Sequence, residues 1–309
     1  MHIHRHGDRP LRRAVHRTGR LAAGSLLALL AAGASLYAAE RLNPLPTPDP
    51  AAESVAVQAV APGPVVFPLF GRRSDGRVYD YEPTDTGTLK AMVDMGGGYQ
   101  AATAIVQANV SEGGKGNDLY HRMGGTLYYT AEHGNDTKVI GGGWDIYNLL
   151  VSVGNMGGSP EPDLLARDAA GALWIYQGKP DGTLQARVQA GTGGWNGMDA
   201  LVGRGDYTGD GRADLLARST TGTLYVYPGT GSATANAVLT SRLTLTGTWT
   251  GYGSLVSNGD LSGDGKTDLI ASDTAGALWL LKGTGTANAP FAPRVRIGTG
   301  GWTAYTSLF

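Results

Sequence analysis

The amino-acid sequence predicts an all-β protein whose residues 65–309 form a β-propeller of five blades. Three short motifs each occur five times in this region: a G-x-[LV]-[WY] string, a strand start such as D-L-L-A-R, and a glycine–aromatic segment. The first motif begins at Gly76, Gly125, Gly171, Gly222 and Gly276, which makes the repeat about 49 residues long. Repeats of this length with roughly four strands are typical of propeller blades.

Each repeat contains short runs rich in Leu, Val, Tyr and Trp, bounded by clusters of Gly, Asp and Thr. Such runs are the signature of strands and hairpins, and no sustained helical period follows residue 65. The repeat region begins at Val65 without the glycine–aromatic segment that opens the other repeats, and it stops mid-repeat at Phe309. We therefore expect the C-terminal strand to complete the first blade and to seal both sheet edges. A linear solenoid with capped ends is the alternative architecture.

The first 64 residues differ in composition from the repeats. Residues 1–20 carry six Arg and one Asp, and the apolar run 21–39 follows. This order predicts a secretory signal peptide or, if it is not cleaved, an N-terminal anchor over residues 1–39. Residues 40–64 contain six prolines, which predicts an extended linker. The protein is therefore expected to be secreted or held at the cell surface.

Composition excludes several classes of protein. The 309-residue chain has no cysteine, so disulfides, thiolate metal sites and cysteine nucleophiles are excluded. The net charge is −1, and the basic residues of the N-terminal segment precede a mildly acidic body. That distribution of charge is not typical of a nucleic-acid-binding protein. Contact with a membrane is expected only through the N-terminal segment, if that segment remains uncleaved.

Two nine-residue loops place oxygen-bearing side chains at their first, third, fifth and ninth positions. Alternate residues of a tight loop can direct oxygens towards one hard cation, with the carbonyl of the seventh residue as a further ligand. No Glu stands at the twelfth position, where an EF-hand would need it; Ala217 and Ala271 do. The sequence thus predicts two structural Ca²⁺ sites, with Asp-Gly hairpin turns as the alternative. Their ligands would be Asp206, Thr208, Asp210, Arg212 and Asp214, and Asp260, Ser262, Asp264, Lys266 and Asp268.

The corresponding loops of two other repeats lack this oxygen pattern. In the loop from Asn155 to Asp163, Gly157 and Ser159 replace the oxygen-rich ligands, and the loop from Asn109 to Asp118 is one residue longer. These two loops are expected to be held by turn chemistry alone.

The segments GDYTGDGRADLLAR and GDLSGDGKTDLIAS resemble FG-GAP or VCBS repeats, including those of integrin α-chains. The segments AGTGGWNGMDALV and IGTGGWTAYTSLF resemble the G-G-W repeats of tachylectin-type five-bladed lectins. The first resemblance implies calcium in the loops, and the second implies recognition of sugars. FG-GAP proteins usually have seven blades, so the repeat number here favours the five-bladed architecture.

Two sets of aromatic residues recur once per repeat. Aromatic rings beside glycine suit stacking on a sugar, but an aromatic in every blade also suits packing between blades. We expect packing for the G-x-[LV]-[WY] set and keep both interpretations for the glycine–aromatic set. The first set is Tyr79, Tyr128, Trp174, Tyr225 and Trp279; the second, the candidate ligand platforms, is Tyr99, Trp144, Trp195, Trp249 and Trp302.

No catalytic constellation is evident in the sequence. His121 and His133 are the only histidines outside the N-terminal segment, and no nucleophile elbow occurs. Asp80 and Asp85 lie beside a predicted turn, and we expect both to be surface residues. We therefore expect a non-enzymatic binding module, most of all a lectin-like one for a glycan. The alternative is a cell-surface propeller that adheres to a protein, and a hydrolase with an unrecognised site is the least favoured interpretation.

Overall fold

The computed structural model of the protein describes residues 66–84, 86–111, 118–132 and 137–309. The expected signal or anchor segment 1–39 and linker 40–64 lie outside these residues, as do Asp85 and His133. Within the described ranges, no helix has the length and apolar character needed to cross a membrane.

In the part of the chain that the structure describes, twenty strands form five antiparallel sheets of four strands each. Blade I contains β1 (Leu69–Arg73), β2 (Val78–Tyr81), β3 (Val93–Asp94) and, as its first strand in space, β20 (Tyr305–Leu308). The other blades are each built from four consecutive strands. Blade II contains β4 (Ala102–Ala108), β5 (Asp118–Met123), β6 (Thr126–Thr130) and β7 (Lys138–Gly141), and blade III contains β8 (Tyr147–Ser152), β9 (Leu164–Asp168), β10 (Leu173–Tyr176) and β11 (Val188–Gly191). Blade IV contains β12 (Met198–Gly205), β13 (Asp214–Ser219), β14 (Leu224–Tyr227) and β15 (Leu243–Thr244). Blade V contains β16 (Tyr252–Val256), β17 (Leu269–Asp273), β18 (Leu278–Leu281) and β19 (Val295–Gly298).

Both main predictions about the architecture are confirmed. The repeat is a four-stranded blade, and there are five blades in the described part of the chain. Strand β20 pairs with β1 in the register Gly71↔Leu308 and Arg72↔Ser307. Phe70 and Phe309 also exchange two backbone hydrogen bonds of 2.9 Å. The last strand thus completes the first blade, which excludes the linear alternative.

The hydrophobic core consists of five clusters, one at each junction between neighbouring blades. The strands alternate their side chains between the two adjacent junctions, as the period of two requires. In β10, for example, Leu173 and Ile175 contribute to the junction with blade IV, whereas Trp174 and Tyr176 pack at the junction with blade II. Blade stacking is therefore the main source of apolar burial.

The glycine of the G-x-[LV]-[WY] motif ends each hairpin between the second and third strands of a blade. All five of these glycines have φ between +80° and +85°. At Gly76 a Cβ atom would also lie 2.2 Å from the backbone nitrogen of Gln100. The motif therefore recurs because the turn needs a residue with a positive φ and leaves no space for a side chain.

An arginine near the end of the second strand links four of the five blades to the next one. Its Nη1 donates hydrogen bonds to two backbone carbonyls at the start of the first strand of the next blade, one just before the strand and one at its first residue. In blade III, Arg167 bonds to the carbonyls of Trp195 (2.8 Å) and Met198 (2.7 Å). The equivalent residues are Arg72, Arg122 and Arg218, whereas blade V has Ser272.

Candidate metal loops and ligand grooves

A buried aspartate at the start of the second strand organises the preceding loop in four blades. Asp163 Oδ2 accepts a hydrogen bond from Gly157 N (2.6 Å), and its Oδ1 accepts one from Ser159 Oγ (2.9 Å). Asp118 accepts bonds from Val110 N (2.6 Å) and Ser111 N (2.7 Å) in the same way. These two loops lack the predicted ligand set, so the aspartate has a structural role that does not depend on a metal. Asp214 and Asp268 occupy the same position.

The loop from Asp260 to Asp268 brings its carboxylates together. Asp260, Asp264 and Asp268 each present an oxygen within 4.8 Å of the other two. Ser262, at the third loop position, has a buried Oγ beside the Asp268 carboxylate. Three converging carboxylates and a buried hydroxyl are the donor set that a hard cation prefers, so these residues fit Ca²⁺.

The loop from Asp206 to Asp214 has the same hydrogen-bond pattern but a different spread of carboxylates. Asp206 accepts bonds from Gly209 N (2.6 Å) and Gly211 N (2.7 Å), and Thr208 Oγ1 lies 3.5 Å from its Oδ1. Within the described chain, the three aspartates of this loop do not form a set as compact as that of the other loop. Arg212 and Lys266, predicted to offer carbonyls, both have exposed side chains.

Burial raises the pKa of Asp163, Asp214 and Asp268 above the ordinary value, although backbone N–H donors oppose the shift. At Asp268 the neighbouring Asp264 carboxylate raises the pKa further. Repulsion between these two groups is what a bound cation would relieve.

The glycine–aromatic residues lie at the blade junctions. Trp144, Trp195 and Trp249 are buried, with exposed fractions of 7–8%, while Tyr99 and Trp302 are half-buried. The Nε1 atom of Trp195 would be 2.5 Å from a Cβ at Gly191, and Trp302 Nε1 would be 2.4 Å from one at Gly298. These glycines therefore admit the indole against the last strand of the preceding blade.

In three junctions a tyrosine at the end of the third strand covers the aromatic residue. The ring centroids are 4.7 Å apart for Trp302 and Tyr81, and 4.6 Å apart for Trp144 and Tyr176. Trp195 and Tyr227 are also 4.6 Å apart. The tyrosine ring therefore packs against the tryptophan ring in each of these three junctions.

The other two junctions have a smaller residue at the tyrosine position, and both contain a groove. At Leu281 the groove has a volume of about 360 Å³ and is lined by residues that include Trp249, Tyr252, Phe291 and Arg294; we call it the Trp249 groove. At Thr130 a smaller groove of about 140 Å³ is lined by Phe70, Val78, Met95, Tyr99, Leu119, Thr130 and Thr137; we call it the Tyr99 groove. Sequence reasoning missed both grooves, although the substitution of Tyr by Leu or Thr within the repeat is a visible signal.

Three of the G-x-[LV]-[WY] aromatic residues, Trp174, Tyr225 and Trp279, are half-buried and pair with an arginine beside the outer strand of their blade. The other two differ: Tyr79 is buried, and Tyr128 stacks on His121. The Arg294 guanidinium lies 4.0 Å from the Trp279 ring centroid, and Arg187 lies 4.1 Å from that of Trp174. Trp279 Nε1 also donates a 2.8 Å hydrogen bond to Asp273, which helps to lower the pKa of that carboxyl group. These contacts agree with the expected packing role.

Asp80 is not a surface residue as the sequence suggested. It is 7% exposed, and its Oδ1 has no hydrogen-bond partner. Burial, reinforced by Glu82 and opposed by Lys90, raises its pKa to about 6. Burial also lowers the pKa of His121, but the two groups form no ion pair within 4 Å among the described residues.

The five four-stranded sheets define this protein as a five-bladed β-propeller. Residues 206–271, which include both carboxylate loops, match the family model of the FG-GAP-like repeat, so the chain contains such a repeat. No curated protein matches the chain.

Several solved structures are similar in fold. One is a symmetrical protein described for its de novo evolutionary emergence; it is 15% identical, with a TM-score of 0.55 and coverage of 78% of this chain and 97% of that one. Another is the BP39L lectin from Burkholderia pseudomallei, 13% identical, with a TM-score of 0.43 and coverage of 75% and 69%. At these identities the likeness concerns the fold alone.

Proposed function

We propose that this protein is an exported carbohydrate-binding propeller, with the Trp249 groove and the Tyr99 groove as its sugar sites and calcium as a structural ion. The observation that carries the proposal is the replacement of the covering tyrosine by Leu281 and Thr130, which leaves an aromatic residue in the wall of an open groove. Export and a surface location rest on the FG-GAP-like repeat and on the composition of residues 1–39.

The Trp249 groove has the features of a small sugar site. Trp249 and Phe291 provide aromatic surface, with their ring centroids 6.1 Å apart. Arg294 donates a 3.0 Å hydrogen bond to the Tyr252 hydroxyl, which leaves donors of both groups beside the groove. Sugar sites combine apolar walls with a few fixed polar groups in this way.

A glycan array probed with the full-length protein, with calcium present, tests the sugar proposal. We expect binding to a defined sugar family, and we expect Leu281→Tyr combined with Thr130→Tyr to weaken it about tenfold or more because tyrosine fills the same position in the other three junctions. Leu281→Met is the matched control that keeps the groove open. Unchanged binding in the tyrosine variant would place the sugar elsewhere, and a blank array would remove the sugar proposal.

Calcium in the two carboxylate loops is tested by thermal unfolding with calcium and with a chelator. Asp260, Ser262, Asp264 and Asp268 are the proposed ligands of one ion, and Asp206, Thr208, Asp210 and Asp214 of the other. The carbonyls of Lys266 and Arg212 would complete the two sets. We expect chelation to lower the Tm and Asp210→Ala with Asp264→Ala to abolish that effect. An equal Tm with and without calcium would contradict the metal proposal.

Adhesion to a surface protein is the second candidate function. It is favoured by the exposed apolar side chains around the edge strand β3, where Met92, Val93 and Met95 are 50%, 54% and 42% exposed. Exposed apolar groups of this kind suit a protein partner. If the glycan array is blank, loss of cell-surface binding in Met92→Ser with Val93→Ser would support adhesion.

A further inference from the structure

Two cavities adjoin on the axis of the propeller. The innermost strands of all five blades enclose a cavity of about 270 Å³. A second cavity, of about 390 Å³, lies beside the loops that follow β8 and β12. Ser152 and Arg204 line both cavities, so these two residues mark the place where the cavities meet.

Arg204 is directed to this place by unusual backbone geometry. It lies where the register of β12 shifts against β13, between Val202 and Gly205, and its φ of +63° is in the left-handed region. Such a conformation is unfavourable for a residue other than glycine, and a bulge changes the direction of the side chain that it carries. The fold thus maintains an arginine in a position that local preference disfavours.

Among the described residues, the charge of Arg204 has no acidic partner. Its Nη1 donates a 2.8 Å hydrogen bond to Gln107 Oε1, and its guanidinium lies 4.4 Å from the centroid of the Phe67 ring. No carboxylate of the described chain lies within 4 Å of it. Gln107 and Phe67 are neutral, so both contacts position the cation without neutralising it.

Ser152 supplies a second unsatisfied group in the same place. Its side chain is 4% exposed, and its Oγ has no hydrogen-bond partner. Native structures rarely leave a buried hydroxyl without a partner. Ser152 lines both cavities, but its Oγ is covered, so the side chain must turn towards a cavity to donate its proton to a molecule there.

The remaining charged groups at the second cavity leave Arg204 available. Asp206 lines this cavity and keeps its negative charge, and its oxygens accept the backbone N–H groups of Gly209 and Gly211. Arg212 lines the same cavity with an exposed side chain, and its positive charge offsets that of Asp206. Arg204 therefore leaves the cavity wall with an excess of positive charge, which favours an incoming oxygen anion.

We infer that the axial cavity of this propeller binds a small oxyanion, with the Arg204 guanidinium and the Ser152 hydroxyl as its donors. The chemistry shared by carboxylates, phosphate and sulfate fits both donors, since each presents charged oxygens to an arginine fork and accepts from a hydroxyl. This site adjoins the Asp206–Asp214 loop, since Asp206 and Arg212 line the second cavity, but Arg204 and Ser152 are not among the proposed calcium ligands. It is separate from the Trp249 and Tyr99 grooves.

Isothermal titration calorimetry of the full-length protein, saturated with calcium, tests the inference. The probes are sodium sulfate, inorganic phosphate and glucuronate, each at constant ionic strength, and they distinguish the possible sources of the oxyanion. We expect saturable binding of at least one probe, and we expect Arg204→Gly to weaken it about tenfold or more. Glycine is chosen because it relaxes the left-handed backbone and so preserves folding, which circular dichroism checks.

Two further variants separate this site from simple surface charge. Ser152→Ala should weaken binding severalfold, whereas Arg296→Ala, which removes an exposed arginine of β19 that lines neither cavity, should leave it within twofold of the wild type. The inference is overturned if none of the three probes binds saturably. It is equally overturned if folded Arg204→Gly binds as the wild type does, or if Arg296→Ala loses as much binding as Arg204→Gly.

Discussion

At the scale of single residues, Asp80 shows how one position can depart from the rule of its repeat. In three other blades the equivalent residue of the third strand is Ile175, Val226 or Leu280, and each of these is buried. Asp80 is buried too, without a partner for its Oδ1. Blade I therefore carries an ionisable group where the fold needs an apolar one, at a cost in stability.

Replacing Asp80 should stabilise the protein. Asp80→Val should raise the free energy of unfolding at pH 7 by about 1–2 kcal/mol, a figure reduced for partial solvent screening. Its pKa is raised from 3.8 to about 6, so the penalty is complete above pH 6 and disappears as the pH falls towards 4. Urea unfolding at pH 7 and pH 4.5 measures both effects. A gain of equal size at the two pH values would show that charge is not the cause.

The buried indoles should behave as core residues. Trp195→Ala should lower the free energy of unfolding by about 3–5 kcal/mol because it removes a buried ring and leaves a cavity. Trp302→Ala, at a half-buried position, should cost about half as much. Thermal unfolding of the two variants checks the ranking. Intact stability of Trp195→Ala would favour the ligand-platform interpretation instead.

Some residues of the candidate sites could be predicted from the sequence, and others could not. The spacing of the nine-residue loops was sufficient to single out Asp260, Asp264 and Asp268, because the loop is local and its geometry follows from its length. The burial of Asp80 could not be predicted, since the adjacent acidic residue and proline suggest a turn. Arg204 was missed because its position depends on a bulge and on packing across the propeller axis.

At the scale of elements, the arginines at the end of the second strand explain how neighbouring blades keep their relative position. Each donates to two carbonyls at the start of the first strand of the next blade, and the first of these carbonyls also accepts the backbone N–H three residues further on. Blade V has Ser272 instead, whose Oγ accepts a 3.2 Å hydrogen bond from Ser254 N within its own blade. The junction between blades V and I therefore lacks this link.

Completing the set of arginines should strengthen that junction. Ser272→Arg would place a guanidinium near the carbonyls of Trp302 and Tyr305, and it should raise the free energy of unfolding by about 1 kcal/mol. Ser272→Lys is the control, because lysine lacks the planar fork that spans two acceptors. Differential scanning calorimetry compares the variants. A Tm of Ser272→Arg at or below that of the wild type would mean that this junction is closed by other contacts.

At the scale of the whole molecule, the number of blades and the closure of the ring followed from counting repeats. The counting was reliable because the strands and hairpin glycines recur with the same spacing, and a blade buries its faces only against other blades. The difference between filled and open junctions was not apparent from the same count. It depends on whether one position holds Tyr or a smaller residue, and that position has meaning only once the blades are stacked.

Removing the closing strand should affect the entire propeller. Deletion of Tyr305–Phe309 exposes the edge of β1 and removes Phe309, which packs on Phe70 with ring centroids 5.7 Å apart. We expect loss of cooperative unfolding and a tendency to associate, since an unpaired edge recruits other strands. Thermal melting with analytical ultracentrifugation tests this. A monomeric variant with an unchanged Tm would show that β20 is dispensable.

The pairing of β20 with β1 also determines when the propeller can close during synthesis of the chain. The strand that begins blade I emerges from the ribosome before every other strand, and its partner emerges after all of them. Blades II to V can form as they appear, whereas the first blade waits with an open edge until synthesis has passed residue 308. If residues 1–39 act as the export signal that we propose, this delay would keep the ring unclosed while translocation begins. The contact between β20 and β1 would then postpone closure of the propeller until the whole chain has been exported.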